Sequence, residues 1–126
     1  MLSIAFCDDE PIMLEELFNV VKGYIDSKKV EFTADLFESG EEFVEKGVRC
    51  RKYDIVFLDI EMKEMNGLEA AAWFRKLNEQ SKVIFVSSHV EYTLDAFKVA
   101  AFRYIIKNKD TMTQAVQEAL DACLDI

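Results

Sequence analysis

Five short apolar runs recur along the chain: LSIAFC (Leu2 to Cys7), VEFTADLF (Val30 to Phe37), DIVFLDI (Asp54 to Ile60), KVIFVSS (Lys82 to Ser88) and FRYIIK (Phe102 to Lys107). The third is continuous in Ile, Val, Phe and Leu, the pattern of a central parallel strand covered on both faces, whereas the second alternates. Every run is too short to cross a bilayer, which takes about 20 apolar residues. Each reads instead as a buried strand.

The intervening stretches carry helical spacing. Leu14, Leu17, Phe18, Val21, Tyr24 and Ile25 share one face of a first helix, with Pro11 in its first turn, where a missing N–H costs nothing. SGEE (Ser39 to Glu42) has capping-box spacing and opens a short second helix that closes near Gly47. NGLE (Asn66 to Glu69) caps a third, with Leu68, Ala71, Ala72 and Leu77 turned inward. A fourth is expected over Val90 to Ala100, and a fifth over Thr111 to Leu124 with Ala115, Val116, Ala119 and Leu120 on its inner face. Strict strand–helix alternation implies right-handed crossovers and a doubly wound α/β fold, a parallel sheet with helices on both faces.

At 126 residues the chain has room for one domain, and with 51% apolar residues it can fill a core. Fifteen basic residues against 24 acidic ones leave a formal charge of −9, which argues against direct binding to nucleic acid. No basic leader precedes the first apolar run, and no membrane association is expected. Cys7, Cys50 and Cys123 are an odd number, widely spaced, with one histidine in the chain, a pattern that points to a reducing, cytoplasmic setting and to no zinc site. The basic stretch KGVRCRK around Cys50 reads as a solvated loop.

In a parallel sheet, functional groups gather at the carboxyl ends of the strands. Those ends deliver Asp8 and Asp9, Asp59, Ser87 and Ser88, and Lys107 to one edge. Several carboxylates in a partly dry site repel one another unless a cation or proton sits among them. Magnesium suits such an oxygen-rich cluster, and a hydroxyl and an ammonium beside it can grip phosphoryl oxygens. The chemistry indicated is phosphoryl transfer.

In order and spacing, CDDE, VFLDIEM, MNGLEAA, FVSSH and FRYIIK resemble the receiver domain of bacterial two-component response regulators, and FVSSHVEYTLDAF and AAFRYIIK resemble receivers joined to LytTR-type DNA-binding domains. The likeness covers essentially all of residues 1–126 and implies a single receiver domain without an output domain. It implies a flavodoxin-like (βα)5 fold of strand order 2-1-3-4-5, the order shared by flavodoxin and a chemotaxis receiver. It also implies roles. Asp59 is the phosphoacceptor, attacking a phosphohistidine of a sensor histidine kinase and becoming an acyl phosphate. Asp9, Asp59 and the backbone carbonyl of Glu61 ligate Mg2+, with Asp8 holding a metal-bound water or adding charge. Lys107 neutralises a phosphoryl oxygen, Ser87 supplies the hydroxyl that moves toward it, and Tyr104 changes its burial as Ser87 moves. DNA would be reached only through an output domain, and the apolar residues of the face built from helix four, strand five and helix five, among them Phe97, Val99 and Phe102, could serve a homodimer.

The chain departs from that pattern in places. Asn108 follows Lys107 where the family carries a proline after a cis bond, and a cis bond before a non-proline residue costs about 2.5–4 kcal/mol. Lys63 stands where a proline is frequent, and Ser87 replaces a threonine. Glu61 either faces solvent or steers the water that removes the phosphate. Ser88, with Glu91 at capping-box spacing, is assigned the cap of helix four, and His89 a surface-loop role. Two other functions remain open: a pseudo-receiver that binds partners without phosphorylation, for which Asn108 is the only argument, and a magnesium-dependent phosphatase, which the adjacency of Asp8 and Asp9 disfavours because it lacks a D-x-D pair.

Overall fold

The computed structural model describes residues 1–125. Five strands, β1 (Leu2–Cys7), β2 (Phe32–Phe37), β3 (Ile55–Leu58), β4 (Lys82–Ser87) and β5 (Arg103–Ile106), form one sheet in the order β2-β1-β3-β4-β5. All neighbours are parallel. The helices are α1 (Pro11–Ser27), α2 (Gly40–Glu45), α3 (Gly67–Leu77), α4 (Thr93–Lys98) and α5 (Met112–Leu124). This is the doubly wound flavodoxin-like arrangement expected from the alternation of runs.

Side-chain alternation along the strands divides the core into two layers. Ile4, Phe6, Ile55, Phe57, Ile84 and Val86 point to one face, where α1 and α5 bring Leu14, Leu17, Val21, Ile25, Val116 and Leu120 against them. Ala5, Cys7, Val56, Leu58, Val83 and Phe85 point to the other, meeting Phe43 of α2, Ala70, Ala71 and Phe74 of α3 and Ala96 of α4. β1, β3 and β4 are thus buried on both faces, while the edge strand β2 keeps Leu36 exposed.

Local signals hold where a polar cap is present. Asn66 and Glu69 form a reciprocal capping box at α3, and the Ser39 hydroxyl accepts the Glu42 N–H at 3.0 Å. The Glu42 carboxylate turns instead to the Glu38 N–H at 3.0 Å, so that box is half made. Several boundaries move. β2 begins two residues later than Val30, and the basic stretch is a 3-10 helix over Gly47–Lys52 that buries Cys50 beneath exposed Arg51 and Lys52. The inner face of α3 runs through Ala70, Ala71 and Phe74; Ala72 is exposed, and Leu68 and Leu77 flank the face half-buried. The helix starts on Gly67, so its core-facing phase follows 67, 70, 71 and 74, one step off the phase that Leu68 suggests.

The largest correction concerns α4. It spans six residues rather than Val90 to Ala100, and its N-cap is Tyr92 without a side-chain bond, so Ser88 is not the cap. The far end is fastened from α3: the Arg75 guanidinium donates to the carbonyls of Val99 at 2.8 Å and Ala100 at 2.7 Å, and to Ser81 at 2.7 Å. The bonds to Val99 and Ala100 take up carbonyls left open where α4 stops. Leu94 and Phe97 of α4 are exposed, while Val99 and Phe102 are half-buried. No helix among the described residues is long and apolar enough to cross a membrane.

Gly67 fixes the connection from β3 to α3. Its N–H donates to the Ile60 carbonyl at 2.9 Å, and a Cβ on it would stand 2.0 Å from the Asp59 carbonyl oxygen. Backbone meets backbone there, so neither side can yield cheaply. Gly67→Ala is expected to lower unfolding free energy by about 3 kcal/mol, read as a shifted urea midpoint at unchanged slope; a shift no larger than that of a surface alanine would refute the close approach.

Candidate functional site

The strand ends are tied to one another before their side chains meet. The Asp8 N–H donates to Phe37 O at 3.1 Å, Asp59 N–H to Cys7 O at 2.9 Å, and Lys107 N–H to Ser87 O at 2.8 Å. Each bond extends the parallel ladder one step past its strand, and together they tie the ends of all five strands at one edge. Cys7 beneath them is core, its thiol against Ser39 O at 3.2 Å, with burial and the neighbouring acids pushing it far above its ordinary range.

Asp8 and Asp59 are 4% and 5% exposed. Lys107 Nζ reaches between them, 3.0 Å from Asp8 Oδ2 and 3.4 Å from Asp59 Oδ1, with Glu10 Oε1 at 3.9 Å. Asp8, Asp9, Glu10 and Asp59 can each offer a carboxylate oxygen within 4.8 Å of the others. Asp9 lies at the rim, its Oδ2 accepting the Lys63 N–H at 3.2 Å, and Asp8 Oδ1 accepts the Glu10 N–H at 2.9 Å. Glu10, not among the expected site residues, completes CDDE and joins the cluster. As the N-cap position before Pro11, it points back at the acids it follows.

Burial and the nearby Asp8 carboxylate push Asp59 up to about 7, against the pull of Lys107. Burial lowers Lys107, but Asp8 and Asp59 outweigh it and hold the ammonium above its usual range. One ammonium therefore does not satisfy the acids around it. Hard oxygen donors that are short of positive charge match magnesium, which takes few carboxylates and retains water. The residues present fit that ion.

Ser87 is fully buried, its Oγ accepting the His89 N–H at 3.1 Å, and the Tyr104 hydroxyl donates to the His89 carbonyl. Burial raises the Tyr104 phenol, with the Ser87 hydroxyl acting the other way. The loop after β4 is thereby held from both sides by the two residues named for switching. Glu61 sits in the loop after β3, and its side chain is engaged rather than loose in solvent. His89 Nε2 is 2.9 Å from Glu61 Oε2, His89 Nδ1 is 2.9 Å from Glu91 Oε1, and the Tyr92 hydroxyl donates to Glu61 Oε1 at 3.2 Å. These contacts bridge the two loops that flank Asp59. No local pattern signals them, since they join side chains from two loops across the sheet edge.

Comparison with known proteins agrees with this geometry. Residues 4–117 match the family described as response regulator receiver domain. The chain is 35% identical over 112 residues to the sensory transduction protein LytT of Bacillus anthracis, across 87% of this chain and 43% of that protein. It is 31% identical over 103 residues to the transcriptional regulatory protein LytR of Staphylococcus aureus, across 79% and 39%. The chain thus spans about two fifths of the length of these curated relatives. Among solved structures, the response regulator TrrA of Thermotoga maritima in complex with Mg2+ and BeF superposes with a TM-score of 0.74 at 29% identity, covering 98% of this chain and 99% of that one. The response regulatory domain of mrkE from Klebsiella pneumoniae gives 0.78 at 21% identity, covering 99% and 100%.

An acid that titrates near 7 when folded and near 4 when unfolded takes up a proton on folding between those values. Stability from this group is therefore intact below pH 4 and declines as pH rises toward 7. In metal-free buffer, Asp59→Asn should raise the unfolding temperature by about 5 °C at pH 8 and hardly at all at pH 4; an equal change at both pH values would contradict the charge argument.

Proposed function

The chain belongs to the response regulator receiver domain family, and from that membership and the geometry of its acid cluster we propose that Asp59 is the phosphoacceptor. The observation that carries this is the convergence of Asp8, Asp59 and Lys107, from three strand ends, within 3.0–3.4 Å contacts in a nearly dry site. Asp59 is a nucleophile in its ionised form, which bound Mg2+ would favour over the proton, and in that form it needs no base. Its oxygen forms a bond to phosphorus while the phosphorus–nitrogen bond of a phosphohistidine breaks, and the electron pair returns to the departing imidazole. Lys107 stands where it can take an oxygen of the incoming phosphoryl group, and its contacts to Asp8 and Asp59 keep it there. Asp9, Asp59 and the Glu61 backbone carbonyl would hold Mg2+, with Asp8 supporting a bound water; the ion supplies the positive charge that the four neighbouring acids lack.

Phosphorylation takes one negative charge on Asp59 to about two and adds acceptor oxygens. Ser87 Oγ, which now accepts from His89, is free to turn its proton toward the new group. That movement loosens the loop that Tyr104 also holds, and the change passes to α4 and β5. Exposed Leu94 and Phe97 on α4 support this face as the output surface and as a place for self-association. Glu61, tied to His89 and Tyr92, tunes access of water to the acyl phosphate and so the lifetime of the signal. Slow self-dephosphorylation, not turnover of an external substrate, is the chemistry intended.

The wider setting is a two-component pathway in the cytoplasm: a sensor histidine kinase upstream, and a transcriptional output downstream through a DNA-binding domain outside residues 1–126. The name of the Staphylococcus relative, a transcriptional regulatory protein, supports that output. The phosphorylation-independent alternative drew on Asn108 alone, and the Lys107–Asn108 peptide bond is trans with Lys107 at the acids all the same. Incubation with acetyl phosphate and Mg2+ should add one phosphoryl mass to the wild-type protein and none to Asp59→Asn, with Lys107→Ala slowed by about a hundredfold. An adduct on Asp59→Asn, or none on wild type, would overturn the assignment.

A further inference from the structure

The turn that joins β5 to α5 is organised by one residue. The Asn108 N–H donates to the Ile106 carbonyl at 2.9 Å, and its Oδ1 accepts the Asp110 N–H at 2.9 Å. Its carbonyl accepts the N–H groups of Thr111 at 3.1 Å and Met112 at 2.8 Å, which starts α5. Four hydrogen bonds meet on Asn108, and its side chain closes a local Asx-type turn. A proline at this position could make neither the N–H bond nor the side-chain bond.

Lys107 immediately precedes this turn. Its N–H is fixed by Ser87 O at 2.8 Å, and the residue after it is fixed by Asn108's own bonds, so the backbone is held on both sides of the lysine. The side chain, 8% exposed, must then run from that fixed point to Asp8 and Asp59. Four rotatable bonds separate Cα from Nζ, so a small change in backbone direction is magnified at the ammonium. Among the described residues, Asn108 makes no hydrogen bond to Asp8, Asp9, Glu10 or Asp59. It also borders, with Glu10, Met13, Val20, Lys107 and Met112, a cavity of roughly 580 Å3 between α1 and α5, so the turn has open space on one side into which it could move.

We propose that Asn108 is a positioning residue for phosphoryl acceptance: its side-chain turn sets the backbone from which Lys107 reaches the acid cluster. This rests on the reading of Asp59 as acceptor. Attraction between the ammonium and the carboxylates is not sufficient, because it fixes where the charge prefers to be without fixing the chain that carries it. Misplacement of a positioning group by about 1 Å can cost a large part of a catalytic rate.

The test follows single-turnover adduct formation by intact mass on the full chain with acetyl phosphate and Mg2+. Asn108→Ala should slow the rate at saturating phosphodonor about tenfold, leaving the unfolding temperature and the Mg2+ dissociation constant nearly unchanged. Asn108→Ser, which restores a side-chain acceptor, should recover most of the loss. In a Lys107→Ala background, Asn108→Ala should change nothing further, a coupling that a merely structural role would not produce. A wild-type rate in Asn108→Ala, or a tenfold loss that persists without Lys107, would overturn the proposal. Failure of the wild-type protein to form any adduct would instead sink the acceptor reading beneath it.

Discussion

Two carboxylates, Asp8 and Asp59, are held almost out of water at the ends of adjacent strands with a single ammonium between them. At under 5 Å and an effective dielectric near 20, two such charges repel by about 3–4 kcal/mol. A folded chain would not keep that arrangement unless the backbone imposed it. The ladder does impose it: β1 and β3 are paired in register from Ile4–Ile55 to Cys7–Leu58, and the next residue on each strand is an aspartate. The site stores an unmet demand for positive charge, and the ways of meeting it, a proton, a metal ion or a changed anion, are what the domain responds to.

The rest of the fold makes this placement rigid. β1, β3 and β4 are covered on both faces, so a one-residue slip would carry each apolar set to the wrong layer. Gly67 lets α3 approach so closely that the Asp59 carbonyl has no room to withdraw. By contrast the loops beyond Asp59 and Ser87 are held by a few side-chain contacts, Glu61 with His89 and Tyr92, and Ser87 and Tyr104 with the His89 backbone. Rigid strand ends with weakly latched loops above them suit a switch, because the chemistry stays in place while the surface rearranges.

Much of this was legible from residues alone. Apolar runs that end in Asp8, Asp59, Ser87 and Lys107 identify the strands, and parallel order brings their ends together without further information. What escaped was tertiary. Ser88 and Glu91 have capping-box spacing and so suggest an earlier start for α4, yet the Ser87 and Tyr104 contacts hold that segment as loop until Tyr92. Alanine is silent about phase, so Ala72 reads as inward, whereas Gly67, not Leu68, sets the helix against the sheet. The Glu61–His89–Glu91 contacts depend on how separate loops meet, which no local pattern encodes.

The central claim is electrostatic, and the Asp59 carboxyl can be observed directly. Carbon-13 NMR of labelled aspartate side chains, assigned with Asp59→Asn, would follow its titration with and without Mg2+. The account predicts a midpoint about 7 in metal-free protein and a fall well below that when Mg2+ saturates the site, since metal and proton compete for the same oxygens. A midpoint near the ordinary value of about 4 that Mg2+ leaves unmoved would contradict it.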